Sequence, residues 1–147
     1  MRLTTKGRYG LRAMFELAQD YGKGPVAIKT ISDRQHLSIH YLEQLLAKLR
    51  KSGLIQSIRG PGGGYVLAKK PEDISIGDVV RILEGPIAMA KCIDESLVQN
   101  VCEHVDDCVV RLMWKRVSTK IEEVLDSISL EDLQGEVDSI ECQFDTC

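Results

Sequence analysis

The first 50 residues carry apolar side chains at intervals of three and four, which is the spacing of one buried helix face. This spacing predicts a first helix within 3–21, a short second helix over 28–35 and a third helix over 38–53 with Ser38 as its N-cap. Only residues 36–37 separate the second helix from the third. Two helices joined by so tight a turn are typical of a helix-turn-helix.

Two strand-like segments follow the third helix. Residues 54–59 and 65–68 are predicted to be short strands, and the Gly-Pro-Gly-Gly-Gly run at 60–64 favours a turn between them. A fourth helix is predicted over 75–85, where a serine and an aspartate have capping-box spacing. A helix-turn-helix followed by a hairpin is a winged helix. The predicted fold class is therefore mainly α with a small β-hairpin, and residues 1–85 form a predicted DNA-binding domain.

The rest of the chain contains a predicted loop, a long helix and a tail. Residues 86–108 lack apolar periodicity and hold three cysteines, and residues 131–147 are acidic and predicted to be a loosely held tail. Between them, residues 109–130 contain apolar positions spaced 4, 3, 4, 3 and 4, as in a heptad seam. This seam consists of Val110, Trp114, Val117, Ile121, Val124 and Ile128. One helix cannot bury such a seam against itself, so we expect it to meet the same helix of a second subunit; the alternative is packing on the N-terminal domain.

Charge divides the 147 residues into two unlike parts. Residues 1–70 contain 13 Lys and Arg against 4 Asp and Glu, a net charge of +9, whereas residues 71–147 contain 6 against 18, a net charge of −12. This asymmetry indicates a basic part that meets a polyanion such as DNA. No apolar run is long enough to cross a bilayer, and no secretory apolar region follows the basic N-terminus, so we expect a cytoplasmic protein without membrane contact.

The start of the third helix carries the side chains best placed to read DNA. A recognition helix contacts base edges in the major groove near its N-terminal end. The candidates for these contacts are Ser38, His40, Tyr41, Glu43 and Gln44, and the candidates for phosphate contacts are Lys6, Arg8, Arg12, Lys48 and Lys51. Since phosphates repel a carboxylate, Glu43 either accepts a hydrogen bond from cytosine N4 or pairs with Arg50 or Lys51. For each of these residues the alternative is a solvated helix face.

The predicted hairpin tip combines one cation with small residues. Arg59 stands directly before Gly60, and a glycine-rich tip lets the backbone approach DNA while an arginine enters a narrow minor groove. The run does not fit a nucleotide-binding loop, because it lacks Gly-Lys-Ser/Thr and precedes a strand where such a loop needs a helix.

The five cysteines all lie within 92–147 and are odd in number, which does not fit a disulfide framework and indicates ligands or redox thiols. Nine residues separate Cys92 from Cys102, and five separate Cys102 from Cys108. Three thiolates within one loop can close on an iron–sulfur cluster, but a cluster needs a fourth ligand. The candidates nearby are His104, Glu103, Asp106 and Asp107, with Cys142, Cys147 or a residue of a partner subunit as distant ones. The alternatives are zinc bound by the three cysteines and His104, and free thiols in a loop.

Four motifs connect this sequence to a known family. The segments MRLTTKGRY at 1–9, YLEQLL at 41–46, LRKSGL at 49–54 and RGPGGGY at 59–65 resemble those of the bacterial winged-helix regulators that include IscR, NsrR and CymR. The resemblance extends from residue 1 to about 130. It implies a homodimeric repressor or activator that binds DNA and has a long dimerisation helix.

The resemblance also assigns roles to the cysteines. It implies that Cys92, Cys102 and Cys108 ligate a cluster, [2Fe–2S] more than [4Fe–4S] or zinc. Two features depart from the IscR pattern: the first gap is longer than the usual five residues, and Arg111 stands where a histidine is expected. Arginine is a poor ligand, and Arg8 occupies a position where NsrR-like proteins have a carboxylate, so the cluster type and the fourth ligand stay open, with His104 as one candidate.

The combined hypothesis is a cytoplasmic, dimeric winged-helix regulator that binds a near-palindromic operator and reports iron–sulfur supply, or oxidative or nitrosative stress, through a bound cluster. The competing hypothesis is a regulator of the same fold without iron, zinc-stabilised or controlled by a partner protein or thiol oxidation, as in CymR-like proteins. An enzyme is not expected, because the sequence displays no set of acid, base and nucleophile.

Overall fold

Six α-helices and one β-hairpin form the part of the chain that the structure describes. The structure is a computed structural model that describes residues 3–97, 102–104 and 106–145, with side chains to Val137 within the last helix. The parts of the predicted loop and tail at 98–101, 105 and 146–147 lie outside the described residues. The elements are α1 (Thr5–Gln19), α2 (Ile28–Gln35), α3 (Ile39–Lys51), β1 (Ile55–Ile58), β2 (Gly64–Leu67), α4 (Ile76–Glu84), α5 (Val109–Ser127) and α6 (Leu130–Asp145).

The predicted fold class is confirmed, and two serines explain where helices begin. The Ser38 side chain accepts a hydrogen bond from the backbone N–H of Tyr41 at 3.2 Å, which caps α3. At the start of α4, Ser75 and Asp78 form the predicted capping box, each side chain bonded to the other's backbone N–H at 3.0 and 3.2 Å. Within the described residues no helix is both long and apolar enough to cross a membrane.

The core lies where α1, α3 and α4 meet. Its largest part is the leucine stripe of α3, formed by Leu42, Leu45, Leu46 and Leu49, none more than 2% exposed. The antiparallel hairpin closes one side of this core, with Ile55 opposite Leu67 and both side chains buried. A short bridge between Val26 and Tyr65 ties the hairpin to the segment before α2.

α1 and α4 approach each other closely because glycines face α4. A Cβ atom on Gly10 would lie 1.9 Å from Leu83 Cδ1, and one on Gly7 would lie 2.7 Å from Glu84 Oε1. Glu84, the last residue of α4, accepts hydrogen bonds from the backbone N–H groups of Thr4 and Gly7, both at 2.9 Å, and from the Thr4 hydroxyl. Burial raises the pKa of Glu84, but these hydrogen bonds outweigh it and hold the pKa below its ordinary value.

The C-terminal end of α5 is fixed to the winged helix. Arg81 of α4 forms a two-pronged ion pair with Asp126, at 2.8 and 2.7 Å. The backbone N–H of Ile76 donates to the Ile128 carbonyl at 2.8 Å. These contacts determine where α5 meets α4.

The structure divides the predicted seam of α5 between two surroundings. Ile121 and Ile128 are half-buried and pack against the chain's own core. Trp114 is half-buried, whereas Val110, Val117 and Val124 are exposed. The physical reason is that Ile121 lies toward the end of α5 that α4 holds, and Ile128 directly follows that end, where its carbonyl accepts from Ile76.

The segment 131–147, predicted as a loosely held acidic tail, lies largely within α6, which occupies Leu130–Asp145. Ser129 and Asp132 cap this helix reciprocally, with bonds of 2.8 and 3.1 Å between side chain and backbone. Leu130 is fully buried, and Gln134 donates to the Ala18 carbonyl of α1 at 2.9 Å. The first turns of the segment therefore belong to the core.

We expect Asp126→Asn to lower the free energy of unfolding by about 0.5–1 kcal/mol at pH 7, since the Arg81–Asp126 pair is partly exposed and screened. The hydrogen bond from Arg81 lowers the pKa of Asp126 below its unfolded value of 3.8. The contribution is therefore complete above that pH and is lost as the pH falls through the lower, folded pKa. Urea unfolding at several pH values checks this.

The matched control is Glu123→Gln, which breaks an exposed pair with Lys120 on the same helix. It should change stability by a few tenths of a kcal/mol at most. An Asp126→Asn variant with the wild-type stability and the same acid sensitivity would contradict the role of this pair.

Candidate nucleic-acid interface and cysteine segment

The polar face of α3 points away from the core. Because the leucine stripe fixes one side of α3, the opposite side is presented to solvent. The predicted DNA-contacting residues that are exposed there are His40, Glu43, Gln44, Lys48 and Lys51, and the exposed Ser38 directly precedes the helix as its cap. The structure thus brings five of the predicted residues onto one surface of one helix.

Two of the predicted base readers contact each other. Gln44 Nε2 lies 3.2 Å from His40 Nε2, one helical turn away. The amide can donate to the ring nitrogen when that nitrogen carries no proton. Both side chains are exposed, so both can exchange this contact for a base edge.

The surroundings of Glu43 show whether it forms the predicted ion pair with Arg50 or Lys51. Glu43 is exposed, and Arg50 Nη1 donates to Ser57 Oγ in β1 at 3.4 Å. No ion pair between Glu43 and Arg50 or Lys51 forms in the part of the chain that the structure describes. Of the predicted alternatives for Glu43, the contact with a base and the solvated helix face both fit this exposure.

Tyr41 differs from its neighbours because it is half-buried. Its hydroxyl lies 3.1 Å from the Thr5 hydroxyl at the start of α1, and its ring meets the Tyr9 ring edge-on with the centroids 6.0 Å apart. Arg8 is exposed and lies 5.8 Å from the centroid of the Tyr9 ring. The first turn of α1 and the first turn of α3 therefore form one continuous surface.

A polar network that the sequence analysis missed holds α2 against α1. Arg12 donates to the side-chain and backbone oxygens of Gln35 at 2.6 and 2.7 Å, and the Gln35 amide donates to Glu16. Glu16 is only 5% exposed and also accepts from Arg34 at 3.1 Å. Arg12, predicted as a phosphate contact, is thus engaged in orienting the helix-turn-helix. The signal available in the sequence was a charged residue, Glu16, within the apolar face of the first helix.

The hairpin of β1 and β2, which is the wing of the winged helix, turns tightly at its tip, as the glycine run predicts. Gly60 and Gly62 have φ values of 104° and 74°, and the N–H of Gly63 donates to the Gly60 carbonyl at 2.9 Å. Side chains rarely adopt such φ values, so glycine is favoured at both positions. Arg59 is exposed at the base of this tip.

The structure brings two of the three candidate cysteines toward one end of α5. Cys92 lies in a 3₁₀ turn, Lys91–Ile93, and Cys108 is the N-cap of α5. Arg111, in the first turn of α5, donates from Nε to the Cys92 carbonyl at 2.9 Å. Cys92 and Cys108 are half-buried, whereas Cys102 and His104 are exposed.

The donor set fits three of the four ligands that an iron–sulfur cluster requires, because cysteine thiolates are its preferred ligands. Across residues 3–97, 102–104 and 106–137, no three His, Cys, Asp or Glu side chains are gathered as a metal site. The protonated guanidinium of Arg111 cannot serve as the fourth ligand, and its hydrogen bond to Cys92 gives it a positioning role instead.

A family model described as an iron-dependent transcriptional regulator, Rrf2, matches residues 3–136 of this chain. The chain belongs to the Rrf2 family. Among its Rrf2 relatives, the transcriptional regulator CymR of Bacillus subtilis (strain 168) is 44% identical, over 94% of this chain and 93% of that protein. The regulator IscR of Aliivibrio salmonicida (strain LFI1238) is 42% identical, over 90% of this chain and 77% of that protein.

Solved structures agree with this assignment. The structure of CymR, the global cysteine regulator of B. subtilis, matches with a TM-score of 0.78 and 45% identity, over 92% of this chain and 98% of that one. The structure of IscR from T. potens matches with a TM-score of 0.75 and 46% identity, over 93% and 88%. The predicted resemblance is confirmed, and so is the expectation of a transcriptional regulator rather than an enzyme.

Proposed function

We propose that this Rrf2-family chain is a homodimeric regulator that binds a near-palindromic DNA operator and whose cysteine segment, residues 86–108, holds an iron–sulfur cluster that controls operator binding. Such a regulator would act in the cytoplasm, where bacterial DNA lies. The observation that carries the DNA-binding part is the exposed polar face of α3 beside the wing.

The geometry of the polar face supports major-groove binding. His40 and Gln44 lie one turn apart near the N-terminal end of α3, where side chains can reach base edges. Lys48 and Lys51 continue the same exposed surface toward the C-terminal end, where cations can meet phosphates. The hydrogen bond between Arg50 and Ser57 joins this end of α3 to the hairpin, so helix and wing are presented together.

The exposed stripe of α5 supports a dimer. Val110, Met113, Val117 and Val124 lie along one side of this helix, and each is at least 37% exposed. The occupant we propose is the same stripe of a second copy, because apolar positions at heptad spacing complement themselves about a two-fold axis. The predicted seam did not include Met113. We propose that Met113 belongs to the exposed stripe of α5 in place of Ile121, which packs against the core. A two-fold pair of α3 helices would then require an operator with two related half-sites.

The cysteines support a cluster because of their chemistry and position. Cys92, Cys102 and Cys108 would supply three thiolates, with His104 or a residue of the second subunit as the fourth ligand, and a [2Fe–2S] cluster is proposed over [4Fe–4S]. When bound, the group would supply sensitivity to iron supply, oxidants or nitric oxide. The protein's own contribution is to hold the Cys92 backbone on α5 through Arg111.

A second candidate is a regulator without iron, which responds through a partner protein, thiol oxidation or zinc. The dispersed cysteines of the described residues and the arginine at position 111 favour this candidate, and the relative named CymR is as similar as those named IscR. The spectroscopic experiment below distinguishes the two.

Removing Arg59 or Lys48 should weaken DNA binding in different ways. The probe is a duplex selected from a random pool with the wild-type protein, compared with an unselected random duplex. We expect Arg59→Ala to cost about 1–3 kcal/mol on the selected duplex and to reduce discrimination at the position that the wing contacts. Lys48→Ala should weaken binding to both duplexes and flatten the slope of log K against log salt by about one.

Lys115→Ala, an exposed lysine of α5, removes the same charge and serves as the control. It should bind both duplexes as the wild type does. A wild-type protein that selects no duplex would overturn the proposed DNA binding, and identical behaviour of all three variants would overturn the assigned surface.

Anaerobic reconstitution with iron and sulfide should give coloured protein with charge-transfer absorbance in the visible range, since iron bound to thiolates absorbs there. We expect Cys92→Ala to lose the colour and Ser96→Ala, at an exposed position of the same segment, to retain it. His104→Ala should shift the spectrum if His104 is the fourth ligand. Colourless protein that contains zinc, or no metal, after complete reconstitution would support the second candidate and exclude the first.

Val117→Asp should dissociate the dimer, because it places two like charges at the centre of the proposed apolar contact. Sedimentation velocity measures the change in mass. Thr119→Asp, an exposed position on another side of α5, carries the same charge and should remain dimeric. A wild-type protein that sediments as a monomer at micromolar concentration contradicts the proposed interface.

A further inference from the structure

We propose that Glu84 is a positioning residue for DNA binding, because its carboxylate fixes the first turn of α1 and, through that turn, the start of the recognition helix. The inference rests on the proposed DNA-binding function and adds a residue that touches no DNA in that proposal. It draws on a junction between the two ends of the winged helix, where residue 84 meets residues 4 to 7.

The Glu84 carboxylate accepts an unusually large number of hydrogen bonds for a partly exposed group. One oxygen, Oε1, receives the backbone N–H groups of Thr4 and Gly7 and the hydroxyl of Thr4. These N–H groups belong to the N-terminal end of α1, where helices leave donors unpaired and favour a negative charge. Since 77 to 80 residues separate the partners, the bonds fix one element against another.

The approach of Glu84 requires the absence of a side chain at position 7. A Cβ atom there would lie 2.7 Å from the accepting oxygen and 3.0 Å from Glu84 Cγ. Gly7 stands between Lys6 and Arg8, whose side chains are both exposed. The same turn therefore presents two cations to solvent and one bare backbone segment to Glu84.

The turn is connected in the other direction to the recognition helix. Thr5, adjacent to the Glu84 contact, has its hydroxyl 3.1 Å from the Tyr41 hydroxyl of α3. Tyr41 is also the residue whose backbone N–H is capped by Ser38. A displacement of the first turn of α1 would thus move Lys6 and Arg8 away from phosphates and remove a support of the base-reading end of α3.

A different role would have the opposite effect on binding. If Glu84 mainly repelled phosphates, its neutralisation would tighten DNA binding, as the loss of any like charge near DNA does. If Glu84 positions α1, its neutralisation weakens binding although the protein becomes more positive. The sign of the change therefore separates the two roles.

The experiment uses the full chain and the duplex selected with the wild-type protein. Glu84→Gln keeps the shape of the side chain and removes its charge, and Glu136→Gln makes the same charge change at an exposed position of α6. We expect Glu84→Gln to bind the selected duplex about three- to tenfold more weakly, with a salt slope about one unit flatter, and Glu136→Gln to match the wild type. Thermal unfolding confirms that each variant is folded at the temperature of the binding measurement.

A double-mutant cycle tests the path through Tyr41. If the two residues act through one turn, Glu84→Gln combined with Tyr41→Phe should lose less affinity than the product of the two single losses. Losses that multiply would exclude the path. Unchanged or tighter binding by folded Glu84→Gln would overturn the proposal, whereas a wild-type protein that selects no duplex would overturn the proposed function itself.

Discussion

The close approach of α1 to α4 is the constraint on which the rest of this structure depends. Gly10 lets Leu83 pack directly against the α1 backbone, and Gly7 lets Glu84 reach the N-terminal end of α1. A side chain at either position would collide with Leu83 or Glu84, and relief of that collision by movement of the helices would separate α1 from α4. Because α1 also supports α2 and α3, such a separation would change the angle of the helix-turn-helix as well as the core beneath it.

The same α4 carries α5, and the two ends of α5 have different contacts. Asp126 and Ile128 bind the C-terminal end of α5 to α4, while the N-terminal end begins at Cys108 and holds the Cys92 backbone through Arg111. The helix thus connects the segment that contains Cys92 and Cys108 to the winged helix.

Local patterns were sufficient for the winged helix but not for its attachments. The apolar spacing and the serine caps predicted α1 to α4 and the hairpin, because each depends on neighbours within a few residues. Heptad spacing could not separate Ile121 from Val117, since the side of α5 that meets α4 is decided by tertiary docking. The acidic composition of the C-terminal segment led to the prediction of a tail where the structure has α6. The local signals for this helix are the cap formed by Ser129 and Asp132 and the buried Leu130. Glu84 and Gly7 had no local signal, because their contact joins the two ends of the domain.

The position of α6 has a consequence for the order in which the protein can fold during synthesis. Leu130 is buried in the core beside Ile74. Gln134 donates a hydrogen bond to the Ala18 carbonyl of α1, which lies 116 residues earlier in the chain. A nascent chain that has exposed only its first hundred residues to solvent lacks these contacts, so its apolar groove beside α1 is still open. The chain must have left the ribosome as far as Gln134 before these contacts can close the core.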